Sequence, residues 1–329
     1  MKIFVGKSFI LFASGFLLAL ILSIIFFQTR PQENTKPLTS ATSPVYPHLR
    51  PSSQTWDTGL QTTQELIPFK KSIEGKINEY KTKKQADEIA FYFRDLNNGP
   101  WFGINEDKEF NLASLFKVPT LMSYYHWAET NPDILQQKIL FDGNTTNTSD
   151  NYFLTKPKEH LQKGKEYSID DLINGMIIYS DNEAFRMLIE HADPGIIADP
   201  YNIVEMQIGT NGEEFTSTLR QYAPFFRVLY NASYLSPEYS EKALALLAKT
   251  DFKNEIAAGV PTNTEVAHKF GIRETPDGSK QLHECGIIYH KTYPYTLCVM
   301  TKGDNLEALV KIISELSRIT YNEVEKQIK

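Results

Sequence analysis

Asn111-Leu112-Ala113-Ser114-Leu115-Phe116-Lys117-Val118-Pro119-Thr120-Leu121-Met122 decides how this chain is read. Ser114 precedes Lys117 by one helical turn, so a hydroxyl and an amine share one helix face within proton-transfer reach. The residues after Lys117 are mostly apolar, which predicts a buried helix from Phe110 to about Thr130. A solvated surface lysine fits that context badly. Serine is a poor nucleophile until a base removes its proton, and Lys117 is the nearest candidate.

Two further clusters follow in order. Ser180-Asp181-Asn182 lies between the apolar Ile177-Ile178-Tyr179 and a predicted helix from Glu183 to about His191. Lys269-Phe270-Gly271 lies in a predicted strand, Glu265 to Ile272, followed by two more strand-like runs. Each cluster is weak by itself. A Ser-x-x-Lys pair arises by chance roughly once in a chain of this length. Ser-Asp-Asn is more often a cap or turn, because those side chains bond nearby backbone. Order, spacing and context together carry the signal.

The set resembles the three motifs of the penicillin-recognising serine enzymes, the class A β-lactamases and penicillin-binding proteins: S-x-x-K, S-D-N and K-T-G. The resemblance covers essentially all of residues 66–329. It implies an α+β fold of the β-lactamase/transpeptidase type: an antiparallel five-stranded sheet flanked by helices, with a helical subdomain. It also implies roles. Ser114 would be acylated and Lys117 would be its base. Ser180 would relay a proton to the leaving nitrogen. Asn182 would bond the substrate amide and hold Lys117. Lys269 would supply positive charge to Ser180 and to a substrate carboxylate. The backbone N–H groups of Ser114 and Ile272 would form the oxyanion hole, and Gly271 would let substrate approach the strand edge. No cofactor and no metal are implied. Substrates would be β-lactams or D-alanyl-D-alanine cell-wall peptides.

Two departures qualify the expectation. Phe270 stands where the family has a small hydroxyl residue, which should weaken anion binding or change the preferred substrate. The segment His191 to Thr216 lacks the E-x-x-L-N that carries the water-activating glutamate of class A enzymes. Glu205-Met206-Gln207-Ile208-Gly209 is its nearest echo, so Glu205 is a candidate deacylation base. Glu213 and Glu214 are alternatives, but they sit just before a helix start, where acidic residues commonly favour the dipole. Acylation chemistry looks complete and fast deacylation does not. Several readings stay open: a serine hydrolase, with D,D-peptidase or cell-wall acyl transferase placed ahead of an efficient β-lactamase; a sensor that acylates once and stops; and a structural domain that keeps the fold without activity, which Phe270 alone supports.

The remaining sequence places this domain. Residues 1–30 form an N-terminal membrane anchor or signal segment, uncharged from Ser8 to Thr29 and nearly all apolar from Phe9 to Phe27. About 20 such residues span a bilayer core. Lys2 and Lys7 precede the run, and it ends at Arg30 with no small-residue cleavage site, which favours a retained single-pass anchor with the domain outside the cytoplasm. If it is cleaved, the protein is secreted. Residues 31–57, rich in Pro, Ser and Thr, read as a tether, and 58–329 as the serine hydrolase domain. Net charge −6 without a basic cluster argues against a nucleic-acid partner. Seven histidines and two cysteines show no metal spacing, which argues against a zinc hydrolase. Cys285 and Cys298 fall on consecutive predicted strands, Cys285–His290 and Tyr295–Thr301. Export would permit a disulfide, but the hairpin already joins these strands, so two free core thiols are expected.

Other elements follow from periodicity. Helices are predicted at Leu66–Lys84, from the Ser168 capping box through Ile178, at Thr218–Leu229, Tyr239–Ala248 and, capped by Asp304, Asn305–Lys326. A hairpin is predicted from Glu88–Leu96 and Trp101–Ile104 about the Asn97-Asn98-Gly99-Pro100 turn.

Overall fold

The first helix, α1 (Ile67–Thr82), places Phe69, Ile73, Ile77 and Tyr80 on one buried stripe at spacings of four, four and three. The structure is a computed structural model that describes residues 46–50, 67–97, 99–144, 161–206 and 216–326. The proposed anchor at 1–30 lies outside the described residues. Among those described, no helix is long and apolar enough to cross a membrane.

After α1 come β1 (Glu88–Asp95) and β2 (Trp101–Ile104), the expected hairpin, with Phe91 opposite Ile104 and Arg94 opposite Trp101. Three strands near the C-terminus complete the sheet: β7 (Val266–Glu274), β8 (Lys280–Ile288) and β9 (Tyr295–Gly303). The order is β2-β1-β9-β8-β7, antiparallel throughout. The early strand β1 therefore pairs with the late strand β9 at the sheet centre, and β7 is an edge among the described strands. Central β9 is buried almost end to end because both faces are covered, and its middle, Leu297-Cys298-Val299-Met300, is an uninterrupted apolar run.

One face packs on α1 and the C-terminal α9 (Leu306–Lys326), through Phe91, Leu297, Leu309, Ile313 and their neighbours. The other face packs on the helical part through Ala90, Tyr92, Ala267, Ile287 and Met300. Among the described residues, this part holds two small antiparallel pairs, β3 (Phe110–Asn111) with β6 (Thr216–Ser217) and β4 (Lys138–Leu140) with β5 (Glu166–Ser168), and six helices. They are α2 (Lys117–Thr130), α3 (Ile169–Ile178), α4 (Asn182–His191), α5 (Pro194–Ile203), α6 and α7 (Leu219–Tyr222, Pro224–Tyr230) and α8 (Pro237–Leu247), counting the broken pair α6/α7 as one.

Several expectations are corrected. The helix expected over Phe110–Thr130 is three pieces: β3, a 3-10 turn at Ala113–Phe116, and α2 beginning at Lys117. Pro224 has no N–H to donate and breaks the helix expected over Thr218–Leu229. The side chain of Asn305, not Asp304, accepts the N–H of Ala308 at the start of α9. The Ser168 capping box is present with Asp171 as its partner. Cys285 and Cys298 are joined as a disulfide, not two free thiols. They are directly opposed on β8 and β9, so both side chains leave the sheet on one face.

Tyr46–Arg50, read in sequence as tether, lies against the domain. Leu49 enters the core, and the N–H of Arg50 donates to the carbonyl of Tyr230. His48 is gripped by two carboxylates: Nδ1 lies 2.5 Å from Glu241 and Nε2 lies 3.2 Å from Glu265. Its N–H also donates to Glu241 at 2.9 Å, and its carbonyl accepts the Tyr289 hydroxyl at 3.1 Å. Burial alone would lower the imidazole pKa, but the hydrogen bonds and charge of Glu241 and Glu265 win and raise it above 6.5. The folded value exceeds the unfolded one, so this stabilisation is complete below about pH 6.5 and is lost as pH rises through the folded value. Thermal melting should therefore show His48→Leu well below wild type at pH 6, with the gap closing towards pH 9. An equal gap at both pH values would contradict the clamp.

Candidate active site

Ser114 sits in the 3-10 turn, half-buried, one turn before Lys117 at the start of α2. The turn is entered through Ala113, whose φ of +47° is left-handed for a residue with a Cβ. Such backbone costs about 1–3 kcal/mol and persists only where its surroundings hold it. From the helical side, the Tyr222 hydroxyl donates to the carbonyl of Leu115 at 2.9 Å. From the sheet side, β7 presses on the turn. A Cβ added to Gly271 would lie 2.9 Å from the Leu112 carbonyl and 3.1 Å from the Ser114 nitrogen. Glycine is needed here for close approach, and it brings the Ser114 N–H against the edge strand. Ile272 follows on the same edge, half-buried.

Lys117 is only 1 % exposed. Its ammonium donates to the Ser180 carbonyl at 2.6 Å, to Asn182 Oδ1 at 2.7 Å and to Ser180 Oγ at 3.1 Å. Burial lowers its pKa to about 7, with Asp181 pulling the other way. The Ser180 backbone is also left-handed, at φ +58°, which lets its carbonyl and hydroxyl face the same amine. Asp181 caps α4 by accepting the N–H groups of Glu183 and Ala184, so Asn182 opens that helix at a fixed place.

Lys269 enters from β7 and is fully buried. It donates to the same Ser180 Oγ at 2.9 Å and to the Phe270 carbonyl at 3.1 Å. Burial, then Lys117, lowers its pKa well below normal, against the attraction of Glu284 and Glu255. Those carboxylates belong to a buried acidic cluster. Glu284 accepts the N–H of Ile256 at 2.6 Å and contacts His268, while burial and Glu284 push Glu255 well above the usual carboxylate range. Phe270 is buried, packs tilted against Phe252 with ring centres 4.4 Å apart and holds its own ring centre 4.1 Å from the Lys269 amine.

Lys117, Ser180, Asn182 and Lys269 thus form one hydrogen-bonded group, with Ser114 and Gly271 beside it. Glu205 stands apart. It is exposed at the end of α5 with a left-handed φ of +55°, and no hydrogen bond among the described residues joins it to Ser114, Lys117 or Ser180. Glu213 and Glu214 lie outside the described residues. Sequence reasoning missed Tyr222, and it missed the Asn111 side chain, which accepts the Ala113 N–H at 2.9 Å. Asn111 is the one that was legible, since Asx side chains commonly bond the N–H two residues on.

Residues 71–324 match the family model described as the beta-lactamase enzyme family, and the chain belongs to that family. Among curated protein sequences none matches. Solved structures share the fold. PBP-A superposes with a TM-score of 0.65 at 18% identity, over 78% of this chain and 96% of its own. A beta-lactamase from Sphaerobacter thermophilus gives 0.64 at 20% identity, over 77% and 97%. A class A beta-lactamase from Mycobacterium abscessus gives 0.64 at 17%, over 77% and 99%.

The tight fit at Gly271 makes a prediction with an unusual sign. At an unstrained site Gly→Ala stabilises by about 0.4–1 kcal/mol. Here overpacking against the Leu112 carbonyl should make Gly271→Ala destabilising by about 1–3 kcal/mol. Urea unfolding at fixed pH reads it; an unchanged or raised midpoint would contradict the packing.

Proposed function

We propose that this protein is a serine acyl hydrolase, held outside the cytoplasm by residues 1–30, that forms an acyl-enzyme at Ser114 with β-lactams or D-alanyl-D-alanine-type peptides. The observation that carries the reading is the convergence of two buried lysine amines, Lys117 and Lys269, on one hydroxyl, Ser180 Oγ. A variant of one structural neighbour, PBP-A, was solved as an acyl-enzyme complex with penicillin G, which supports the same chemistry here.

The steps follow from the donors. With a pKa near 7, Lys117 is part neutral at neutral pH, and a neutral amine has a lone pair to take the Ser114 proton. The Ser114 oxygen then attacks the substrate carbonyl, and the oxyanion is held by the Ser114 and Ile272 N–H groups. As the C–N bond breaks, Ser180 gives its proton to the leaving nitrogen and regains one from Lys117. The product is an ester on Ser114. Asn182 orients Lys117 and the substrate amide. Lys269 keeps Ser180 oriented, and a substrate carboxylate brought beside it would favour its protonated form and pair with it, next to the Phe270 ring.

Water must then attack the ester. Glu205 remains the candidate base, but its exposure favours slow release over efficient antibiotic hydrolysis. The same exposure favours a second reading, a penicillin-binding sensor that stays acylated; product release after the first equivalent separates the two. Intact mass after β-lactam treatment should rise in wild type and stay unchanged in Ser114→Ala. Pre-steady-state kinetics with a chromogenic cephalosporin should give a burst near one equivalent, then slow turnover, since a general base typically contributes about 10²–10⁴-fold. Labelling that persists in Ser114→Ala would overturn the nucleophile. Fast, burst-free turnover abolished by Glu205→Gln would make the protein a working β-lactamase.

A further inference from the structure

Beneath the nucleophile turn lies a chain of hydrogen bonds that the acyl-transfer steps do not use. His283 is fully buried on β8, directly opposite Gly271 on β7. The Thr301 N–H donates to His283 Nδ1 at 3.2 Å. A nitrogen that accepts cannot carry a proton, so the hydrogen of the neutral ring sits on Nε2. Nε2 then donates to the Asn111 carbonyl at 3.1 Å, with Gln281 Oε1 a longer second acceptor at 3.4 Å. Gln281 Oε1 in turn accepts the Asn111 N–H at 3.2 Å. Both backbone groups of Asn111 are therefore fixed from β8, and Phe110 closes edge-on against the imidazole with ring centres 5.3 Å apart. The Asn111 side chain spans the next step, accepting the Ala113 N–H at 2.9 Å where the backbone turns left-handed. The following residue is Ser114, whose nitrogen meets the edge of β7 at Gly271. Protonating His283 would set an N–H against the Thr301 N–H, and burial independently holds the ring neutral, with a pKa lowered to about 4.

We infer that His283, Gln281 and Asn111 are positioning residues for Ser114, holding the left-handed Ala113 so that the Ser114 N–H and hydroxyl face the substrate carbonyl. The inference rests on the acyl-enzyme reading above. It explains why a residue with a Cβ can occupy φ +47° at Ala113: the backbone is held by Asn111 Oδ1 rather than relaxed by glycine. Misplacement of a reacting group by about 1 Å can cost about 10²-fold in rate. The loss should fall on the acylation step and leave the initial binding of the ligand unchanged, because none of the three side chains is proposed to touch substrate.

The test uses the full chain and a fluorescent penicillin, with labelling rate followed against concentration to separate the limiting acylation rate from the half-saturating concentration. Asn111→Leu should lower the limiting rate about 10–100-fold with half-saturation within about threefold of wild type. Adding Ala113→Gly to Asn111→Leu should recover at least a several-fold part of that rate, since glycine reaches the left-handed backbone unaided. Because glycine at this left-handed position also relieves strain in the fold, thermal melting of each variant is read beside the rate. A fall in limiting rate at unchanged half-saturation in a variant that is fully folded at the assay temperature is positioning, whereas a fall that tracks only the folded fraction overturns it. Should Asn111→Leu fail to fold, His283→Phe takes the same measurement, because phenylalanine fills the ring volume without the Nε2–H, and the expected fall is the same. A folded variant that acylates within twofold of wild type overturns the positioning role. If wild type is labelled nowhere, or at a residue other than Ser114, the acyl-enzyme reading fails and this inference falls with it.

Discussion

Burying the Lys117 ammonium is the constraint on which the rest of the site depends. Taking an ammonium out of water costs several kcal/mol unless its protons find acceptors. Three acceptors meet it within 3.1 Å, and all come from Ser180 and Asn182 at the entrance to α4. The requirement therefore ties the start of α2 to the start of α4. It also accounts for the left-handed Ser180 backbone, which directs the carbonyl and hydroxyl of one residue at one amine. The same burial lowers the amine's pKa to about 7, so packing and basicity have one cause.

Lys269 adds the sheet to that arrangement. As an edge strand, β7 leaves one side of its backbone unpaired by other strands, and Gly271 lets that side meet the Ser114 turn. Two protonated lysines on one hydroxyl would repel each other, and the buried Glu284 offsets part of that repulsion at Lys269. The Phe270 ring lies against the Lys269 amine and is itself backed by Phe252.

Much of this was legible because the chemistry is local. Ser114 and Lys117 are one turn apart, Ser168 and Asp171 form a capping box within four residues, and the β1–β2 hairpin carries its own turn. What sequence could not show depends on long-range register. The pairing of Cys285 with Cys298 follows from which residues of β8 and β9 stand opposite, and spacing does not reveal that. The contact of His283 with Asn111 joins residues 172 positions apart, and no periodicity marks it. Boundaries failed where one residue outweighed a helical pattern. The Asn111 side chain, accepting the N–H of a left-handed Ala113, stands where the expected nucleophile helix gives way to a strand and a 3-10 turn, and Pro224 split a helix that apolar spacing had joined. Helix α5 was missed because Pro194 opens it and Pro200 lies inside it, and proline inside a pattern ordinarily argues against a helix.

The central claim is that burial makes Lys117 a base that can be neutral at neutral pH. Carbon-13 NMR of the protein labelled at lysine Cε, titrated from pH 5 to 11, measures this directly, with Lys117→Met assigning the signal by its disappearance. The account predicts a Lys117 midpoint near 7. A midpoint near 10.5, the value of an exposed lysine, would contradict it.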